Sequence, residues 1–224
     1  MVKTFGVIVL VVVIFALSTT KVDDKRLTED FHQAIVMKDT SDWAEIKMDT
    51  LGMVNKMAYA DTANFMNQKI YPCARCFLRL EVAEALEKAN TQANAKNLKL
   101  VIFDCYRPYG YQQKMYEIVN NPRYVAPPGK GSNHNRGAAV DLSLADENGN
   151  LLDMGNEFDD FSSLSHYISD KISEKAQNNR KLLRGIMTEA GFMPYDNEWW
   201  HFDYRKKKYE TSDFRWECNE QTQQ

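Results

Sequence analysis

The sequence predicts one α+β domain in which a small, mainly antiparallel sheet is flanked by helices. Two long segments with helical periodicity, residues 77–95 and 174–190, alternate along the chain with short apolar segments typical of strands. The chain has 224 residues, 44% of them apolar and 12% aromatic, which suffices for a sizeable core. The net charge of −3 and the lack of a basic stripe with interleaved aromatic residues predict no nucleic-acid partner.

The first residues have the features of a secretory signal peptide, which we predict at residues 1–18. Lys3 gives a short positive region, residues 5–17 are almost uninterrupted apolar sequence, and a small-x-small cleavage pattern ends at Ser18. The apolar run is shorter than the roughly 20 residues that span a bilayer. We therefore expect an exported, periplasmic or secreted protein with a single domain at 19–224 and no stable membrane insertion after cleavage. An uncleaved N-terminal anchor is the alternative.

The cysteine content agrees with export. An even number of cysteines in an exported chain favours disulfides, and four cysteines allow three pairings. A redox or metal pair in the Cys-x-x-Cys segment is the alternative, but a closed structural zinc site would lack a second such segment. The four residues are Cys73, Cys76, Cys105 and Cys218.

The first half of the chain predicts a helix, a buried strand and a second helix. Apolar side chains recur on one face of residues 77–95, and the strand follows at 98–103. It leads into an Asp-Cys-Tyr-Arg-Pro segment, in which the proline biases Arg107 towards an extended backbone. An arginine at a strand end can reach a cleft, although a surface arginine is commoner. The second helix is predicted at 109–119.

The second half predicts a strand, a helix and a closing hairpin. Asp141 alternates with Val140 and Leu142, so it faces away from the apolar row of its strand. Gly191 stands where a left-handed residue ends a helix. The predicted segments are a strand at 138–144 with a return strand from Leu151, a helix at 174–190, hairpin strands at 192–195 and 199–204, and a polar C-terminal tail from about 205.

Two segments beside predicted strands combine histidines with acids. His134-x6-Asp141 is followed by Glu198-x2-His201. Two imidazoles and one carboxylate suit zinc, and a catalytic site keeps a fourth position for water. Glu198 would remain as general base. Because Glu198 and His201 are three positions apart, Glu198 must lie in the turn before the strand or on a bulge. A lone histidine is more often a packed or surface residue, but the paired pattern favours a zinc site.

These segments resemble the zinc D-alanyl-D-alanine peptidases, and most of all the D-alanyl-D-alanine dipeptidase family. Residues 132–141 fit the pattern Ser-x-His-x2-Gly-x-Ala-x-Asp, and residues 198–201 fit Glu-x-Trp-His. The double tryptophan favours the dipeptidases over the related carboxypeptidases, which more often have proline before tryptophan. Met154-Gly155 with Phe158-Asp159, and Gln177-Asn178 with Arg180, match further dipeptidase segments.

The resemblance implies a zinc D-Ala-D-Ala peptidase-like fold, with the sheet order of that group, and one zinc ion per chain. It implies hydrolysis of the D-alanyl-D-alanine dipeptide, with a small dipeptide as the partner. The implied metal ligands are His134, Asp141 and His201, and the implied catalytic residues are Glu198 as base and Arg107 as the cation that stabilises the oxyanion.

The resemblance also implies how a dipeptide would be recognised. Asp159 and Tyr59 would hold its free amino terminus, and Tyr71 is a further candidate for substrate binding. A carboxylate there pairs with an ammonium and offers no partner to an acylated nitrogen, so it would select dipeptides over longer peptides. Ser132 is also a substrate-binding candidate, because its hydroxyl could orient ligands or substrate, or else cap a turn.

Three alternatives remain from the sequence. A D,D-carboxypeptidase or endopeptidase acting on peptidoglycan peptides would use the same metal chemistry. A non-catalytic zinc-containing binding module is disfavoured because both Glu198 and Arg107 are retained. A metal bound only for stability would usually have four protein ligands, and three are found.

The chain departs from the family in several places. Asn133 stands where a second serine is common, and Cys73, Cys76 and Cys105 are not general to the family. The signal-like N-terminus differs from cytoplasmic members, so we expect a role in peptidoglycan turnover or nutrient recovery rather than antibiotic resistance.

Overall fold

The computed structural model describes residues 35–37, 42–127 and 129–218. The predicted signal peptide at residues 1–18 lies outside the described residues. Within these ranges, none of the helices is long and apolar enough to cross a membrane.

Eight strands and three α-helices are formed by the described residues. They are β1 (Ile35–Met37), β2 (Trp43–Ile46), β3 (Val54–Asn55), β4 (Cys76–Arg79), α1 (Leu80–Asn94), β5 (Lys99–Asp104), α2 (Tyr109–Val119), β6 (Ala139–Ala145), α3 (Glu174–Ala190), β7 (Met193–Tyr195) and β8 (Glu198–Asp203). Short 3-10 turns lie at Ala58–Ala60, His134–Arg136 and Ser163–Ser165.

The strands form two sheets. The larger has the order β3-β5-β6-β8-β7, and the smaller has the order β1-β2-β4. Among the described pairings only β3 with β5 is parallel. Helix α1 packs against β5 and against α3, so both long helices cover the larger sheet. The predicted α+β class with a mainly antiparallel sheet is confirmed.

Most predicted elements have the expected bounds to within about one residue, but the start of the first helix was wrong. Cys76–Arg79 is a strand, and the helix begins at Leu80. Phe77 and Leu78 are buried and pair with β2, and this long-range ladder overrides the local helical pattern. The return strand expected from Leu151 is reduced to one bridge with Ala145.

The C-terminal segment is largely polar and exposed, but two of its aromatic side chains are buried. Residues 205–208 are exposed, whereas Tyr209 and Trp216 are buried in the core. Cys218 is bonded to Cys73, which fastens this segment to the domain. The other two cysteines, Cys76 and Cys105, form the second disulfide.

Gly137, next to the 3-10 turn that carries His134, is required by close packing. It has φ +65°, and a Cβ there would meet the ring of Trp43, with Cη2 at 2.7 Å. This ring is fixed between the guanidinium of Arg79 at 4.0 Å and the ring of Tyr106 at 4.5 Å. A side chain at position 137 should therefore destabilise the fold in two ways, through the clash with Trp43 and through the strain of a left-handed backbone.

We expect Gly137→Ala to lower the free energy of unfolding by about 2–4 kcal/mol. Chemical denaturation of both proteins would measure this loss. Gly185→Ala is the matched control, because Gly185 lies within α3 with nothing near its added Cβ. The control should gain about 0.5–1 kcal/mol of stability. Equal stabilities of the two variants would contradict the packing argument.

Candidate metal centre and active site

Three predicted metal ligands lie together where β6 meets β8. The antiparallel register pairs Asp141 directly with His201, and His134 enters from the turn that precedes β6. His134 Nε2 lies 3.2 Å from His201 Nδ1 and 3.3 Å from Asp141 Oδ2, and His201 Nδ1 lies 2.9 Å from Asp141 Oδ1. The cross-strand register therefore brings together residues that are distant in sequence.

This donor set fits a zinc ion. Zinc–nitrogen bonds of about 2.0–2.1 Å in a tetrahedron separate neighbouring ligand atoms by roughly 3.3 Å. The donor atoms of His134, Asp141 and His201 already have nearly this spacing, and all lie within 4.8 Å of one another. A divalent cation could bind here with little rearrangement, and three protein ligands would leave one position open.

Each histidine is oriented by a second hydrogen bond. His134 Nδ1 lies 2.7 Å from the carbonyl oxygen of Cys105. Because a carbonyl only accepts, Nδ1 carries the proton and Nε2 presents its lone pair to the site. His201 Nε2 lies 3.0 Å from Asp203 Oδ1, which similarly directs Nδ1 inward. Arg205 donates two hydrogen bonds to the other oxygen of Asp203.

The carboxylates around His201 make this part of the site suited to positive charge. Burial alone would lower the pKa of His201, but hydrogen bonds to Asp141 and Asp203 outweigh it and raise the pKa well above its ordinary value. Burial would raise the pKa of Asp141, and the two histidines instead lower it. A bound cation would take the place of the proton that these groups share.

Glu198 lies at the start of β8, beside the three ligands. The β7–β8 register shifts at this point, so that Tyr195 pairs with Glu198 instead of continuing the ladder towards His201. This irregularity is the bulge that the three-residue spacing requires. Burial raises the pKa of Glu198, with Asp141 adding to the effect and His201 opposing it. A carboxylate in such surroundings is a better proton acceptor than an exposed one.

Arg107 is buried and held by fixed partners. Its Nη2 donates to Asp104 Oδ2 at 2.6 Å, and its Nη1 donates to Gln112 Oε1 at 2.8 Å. Burial alone would lower the pKa of Arg107, but Asp104 and other nearby groups outweigh it and raise the pKa. Its guanidinium also lies 5.1 Å from the ring centroid of Tyr59. The cation is therefore preorganised and permanently charged.

Asp159 and Tyr59 are joined as the family resemblance implies. The Tyr59 hydroxyl donates to Asp159 Oδ2 at 2.9 Å. Asp159 has φ +61°, which is uncommon for a non-glycine residue and is often found at functional sites. Burial raises the pKa of Asp159 well above its ordinary value, and the nearby Asp141 adds to this. An ammonium group beside Asp159 would supply a positive charge that stabilises the ionised carboxylate.

Two predicted substrate-binding residues make structural contacts. One of them, Tyr71, does not line the cavity, whereas the other, Ser132, does. Tyr71 is fully buried, and its hydroxyl donates to Asp104 Oδ1 at 2.8 Å, so it supports the partner of Arg107 from behind. Ser132 is half-buried, and its hydroxyl oxygen accepts from the backbone N–H of His134 at 3.3 Å. Ser132 thus caps the turn that carries His134 while still lining the cavity.

All of the candidate residues except Tyr71 line one cavity of about 440 Å³. Its size is in the range of small-molecule sites. Aromatic rings of Tyr124, Phe161 and Trp200 form part of its wall. A larger open groove shares Asp159 but none of the metal ligands, so the chemistry belongs to the smaller cavity. The residues brought together in its wall include His134, Asp141, His201, Glu198, Arg107 and Asp159.

Three residues that support the site were not predicted from the sequence. Asp104 and Gln112 hold Arg107, and Asp203 holds His201. Asp203 follows His201 by two positions in a strand, where side chains share a face, so the spacing offered a usable signal. For Gln112, which also donates to the carbonyl of Ala126 at 2.9 Å, only the folded chain reveals the contact.

Comparisons with known proteins agree with this geometry. A family model described as D-ala-D-ala dipeptidase matches residues 39–218. The D-alanyl-D-alanine dipeptidase of Escherichia coli (strain K12) is 40% identical over 167 residues, which cover 75% of this chain and 86% of that protein. The D-alanyl-D-alanine dipeptidase of Enterococcus faecium is 33% identical over 180 residues, covering 70% and 88%.

A structural similarity is also found to VanYB in complex with D-alanine-D-alanine. The TM-score is 0.38 at 18% identity, and the match covers 58% of this chain and 72% of that one. The family match is far more extensive, since it includes the whole of the cavity wall and both disulfides. On the strength of that match and of its curated relatives, the chain belongs to the D-alanyl-D-alanine dipeptidase family.

Proposed function

We propose that this chain hydrolyses the D-alanyl-D-alanine dipeptide to two D-alanines, using one zinc ion held by His134, Asp141 and His201. The observation that carries the proposal is the convergence of these three donor atoms beside Glu198, in a chain of the D-alanyl-D-alanine dipeptidase family. The short distances between the donor atoms and the orienting hydrogen bonds of both histidines support zinc as the metal.

The protein residues have distinct roles in the proposed reaction. When bound, zinc lowers the pKa of water and polarises a carbonyl group. Glu198 accepts a proton from the attacking water and returns it to the amine as the carbon–nitrogen bond breaks. Arg107 presents a fixed positive charge to the oxygen on which negative charge develops. Water is thereby divided between the new carboxylate and the released amino group.

Asp159 and Tyr59 provide the proposed recognition of the free amino terminus. Asp159 is half-buried and accepts a hydrogen bond from Tyr59, and burial still raises its pKa, so a cation lying against it would further stabilise its charge. The ammonium of a dipeptide meets this need, whereas an acylated nitrogen carries no charge. An acylated substrate would leave Asp159 without its partner, and this supports a dipeptidase over a carboxypeptidase.

The zinc assignment predicts a loss of metal from ligand variants. We expect His134→Ala and His201→Ala each to lower the zinc content of the purified protein, because two protein ligands hold the ion much more weakly than three. Elemental analysis after dialysis would measure the zinc content of each variant. His166→Ala is the control, since His166 is exposed and outside the cavity wall. Full zinc occupancy in both ligand variants would contradict the proposed ligand set.

The substrate is tested by D-alanine release from D-Ala-D-Ala and from its N-acetylated form, measured side by side with the zinc-loaded protein. We expect cleavage of the free dipeptide alone. Similar rates on both substrates would instead assign the protein to the D,D-carboxypeptidases. No cleavage of either would overturn the proposed reaction while leaving the zinc measurement intact.

We also propose that the protein acts outside the cytoplasm, where wall turnover or nutrient recovery would supply the dipeptide. The apolar N-terminal segment and the bonding of all four cysteines support this compartment. Cell fractionation with N-terminal sequencing should find an exported chain that begins near Thr19. A cytoplasmic protein with Met1 intact would contradict it.

A further inference from the structure

The disulfide Cys76–Cys105 lies directly behind the proposed zinc site. It joins β4 to the residue that follows β5, and both cysteines are fully buried. The last ladder pair of this part of the sheet is Asp104 with Asp141, so Cys105 begins a segment beyond the regular pairing. The disulfide is thus the covalent tie that fixes where this segment leaves the sheet.

Cys105 contacts the supports of both halves of the site. Its carbonyl oxygen accepts from His134 Nδ1 at 2.7 Å, which sets the orientation of that ring. Its backbone N–H donates to Asp104 Oδ1 at 2.9 Å, and the other oxygen of Asp104 holds Arg107. A displacement of Cys105 would therefore disturb a metal ligand and the buried cation together.

Backbone hydrogen bonds connect the same segment to its surroundings. Tyr106 N–H donates to the carbonyl of Phe77 at 3.0 Å, and Arg107 N–H donates to the carbonyl of His134 at 3.1 Å. The first of these bonds runs parallel to the disulfide, since Phe77 follows Cys76. Loss of the disulfide would leave these weaker ties to hold the segment, so the domain could stay folded while the site loosens.

We propose that the Cys76–Cys105 disulfide is a positioning element of the active site, which keeps His134 and Arg107 in their binding geometry. Breaking it weakens zinc binding and slows turnover, with only a small loss of domain stability. The inference rests on the proposed zinc chemistry, and it makes the activity of this chain dependent on an oxidising compartment.

The second disulfide provides a control within the same chain. Cys73–Cys218 fastens the C-terminal segment, and neither cysteine contacts a proposed ligand or Arg107. It closes a loop of 145 residues, whereas Cys76–Cys105 closes one of 29. Because a longer loop loses more entropy on closure, Cys73–Cys218 should contribute more to stability. Loss of Cys73–Cys218 should thus lower stability more, and loss of Cys76–Cys105 should lower zinc affinity more.

The test compares Cys76→Ala/Cys105→Ala with Cys73→Ala/Cys218→Ala. Zinc affinity is measured by chelator competition without substrate, and Tm is measured on the zinc-free proteins. In the first variant we expect a zinc Kd raised about tenfold or more, as for loss of a ligand's orienting contact, and a fall in kcat with little change in KM. In the second we expect the larger fall in Tm and a zinc Kd within about twofold of the parent. If the same double variant showed both the larger fall in Tm and the larger rise in zinc Kd, the proposal would be overturned.

A second measurement covers the case in which the first variant does not fold. In the Cys73→Ala/Cys218→Ala background only Cys76–Cys105 remains, and a phosphine can reduce it without adding a thiol that binds zinc. The phosphine is oxidised to its oxide with oxygen from water, and the disulfide takes up two electrons and two protons. Zinc affinity should fall on reduction and return on reoxidation, while the circular dichroism of the fold persists. An unchanged zinc Kd in the fully reduced protein would overturn the proposal.

These measurements separate the inference from the proposed function. A protein that binds zinc in a disulfide-dependent manner but cleaves no D-Ala-D-Ala would overturn the proposed reaction and uphold the positioning role. A protein that cleaves the dipeptide equally well with and without the Cys76–Cys105 disulfide would do the reverse.

Discussion

Replacing Glu198 with glutamine is expected to lower kcat by about 10²–10⁴-fold while zinc remains bound. Glutamine has nearly the same shape as glutamate but cannot accept the proton of the attacking water. Because Glu198 is beside the ligand set and not part of it, the metal content should be unchanged. Steady-state kinetics with D-Ala-D-Ala and elemental analysis of the same preparation would measure both properties.

The control for this variant is Glu157→Gln, which changes an exposed glutamate close in sequence to Asp159. It should retain the parental kcat, because Glu157 does not line the small cavity. If Glu198→Gln kept substantial activity with full zinc occupancy, another group would have to accept the proton. Loss of zinc from Glu198→Gln would instead show that Glu198 contributes to metal binding.

The metal site could be predicted from sequence because its information is local. His134 and Asp141 stand in one segment, and Glu198 and His201 stand in another; the first lies beside a strand with period-two alternation, and the second begins the last strand of a predicted hairpin. The β6–β8 register then supplies what local sequence cannot, namely the pairing of Asp141 with His201. The paired pattern of histidines and acids links the two segments in sequence, and the resemblance to a known family implies the same ligand set.

The supports of the site were not predictable in the same way. Cys105 and His134 are 29 residues apart, and their contact uses a backbone carbonyl, which every residue possesses. Tyr71 was a candidate for substrate binding from sequence, yet its hydroxyl reaches Asp104 across 33 residues and its ring is fully buried. No side-chain pattern distinguishes such contacts before the chain is folded.

The smaller sheet shows the same limit for secondary structure. Phe77 and Leu78 continue the apolar spacing of α1 towards its N-terminus, so periodicity assigned them to the helix. Their partners in β2, Glu45 and Ala44, lie more than thirty residues earlier in the chain. Pairing with a distant strand outweighs a weak local preference when it buries both side chains. The disulfide connectivity depends on this strand, because Cys76 reaches Cys105 from its first position.

Arg107→Ala is expected to lower kcat by about 10²–10³-fold, the usual effect of removing one donor to a developing oxyanion. Truncation also leaves Asp104 buried without its cation, and breaking such a pair should destabilise the fold by about 3–5 kcal/mol. Kinetics must therefore be measured well below the Tm and normalised to zinc-loaded, folded protein. Arg184→Ala is the control, since the half-buried Arg184 pairs with an exposed carboxylate, Asp196, and its loss leaves no buried charge without a partner.

Arg107→Lys separates the charge of Arg107 from its geometry. Lysine keeps a positive charge near Asp104 but cannot donate simultaneously to Asp104 and Gln112 as the guanidinium does. Because the buried Gln112 would lose its donor while Asp104 keeps a cation, we expect both the stability and the kcat to lie between those of the parent and of Arg107→Ala. A lysine variant with the full parental kcat would mean that charge alone suffices and that the anchoring by Gln112 is dispensable. A lysine variant as slow as alanine, yet stable and zinc-loaded, would mean that catalysis depends on where the cation is held, which is what the buried contacts of Arg107 with Asp104 and Gln112 determine.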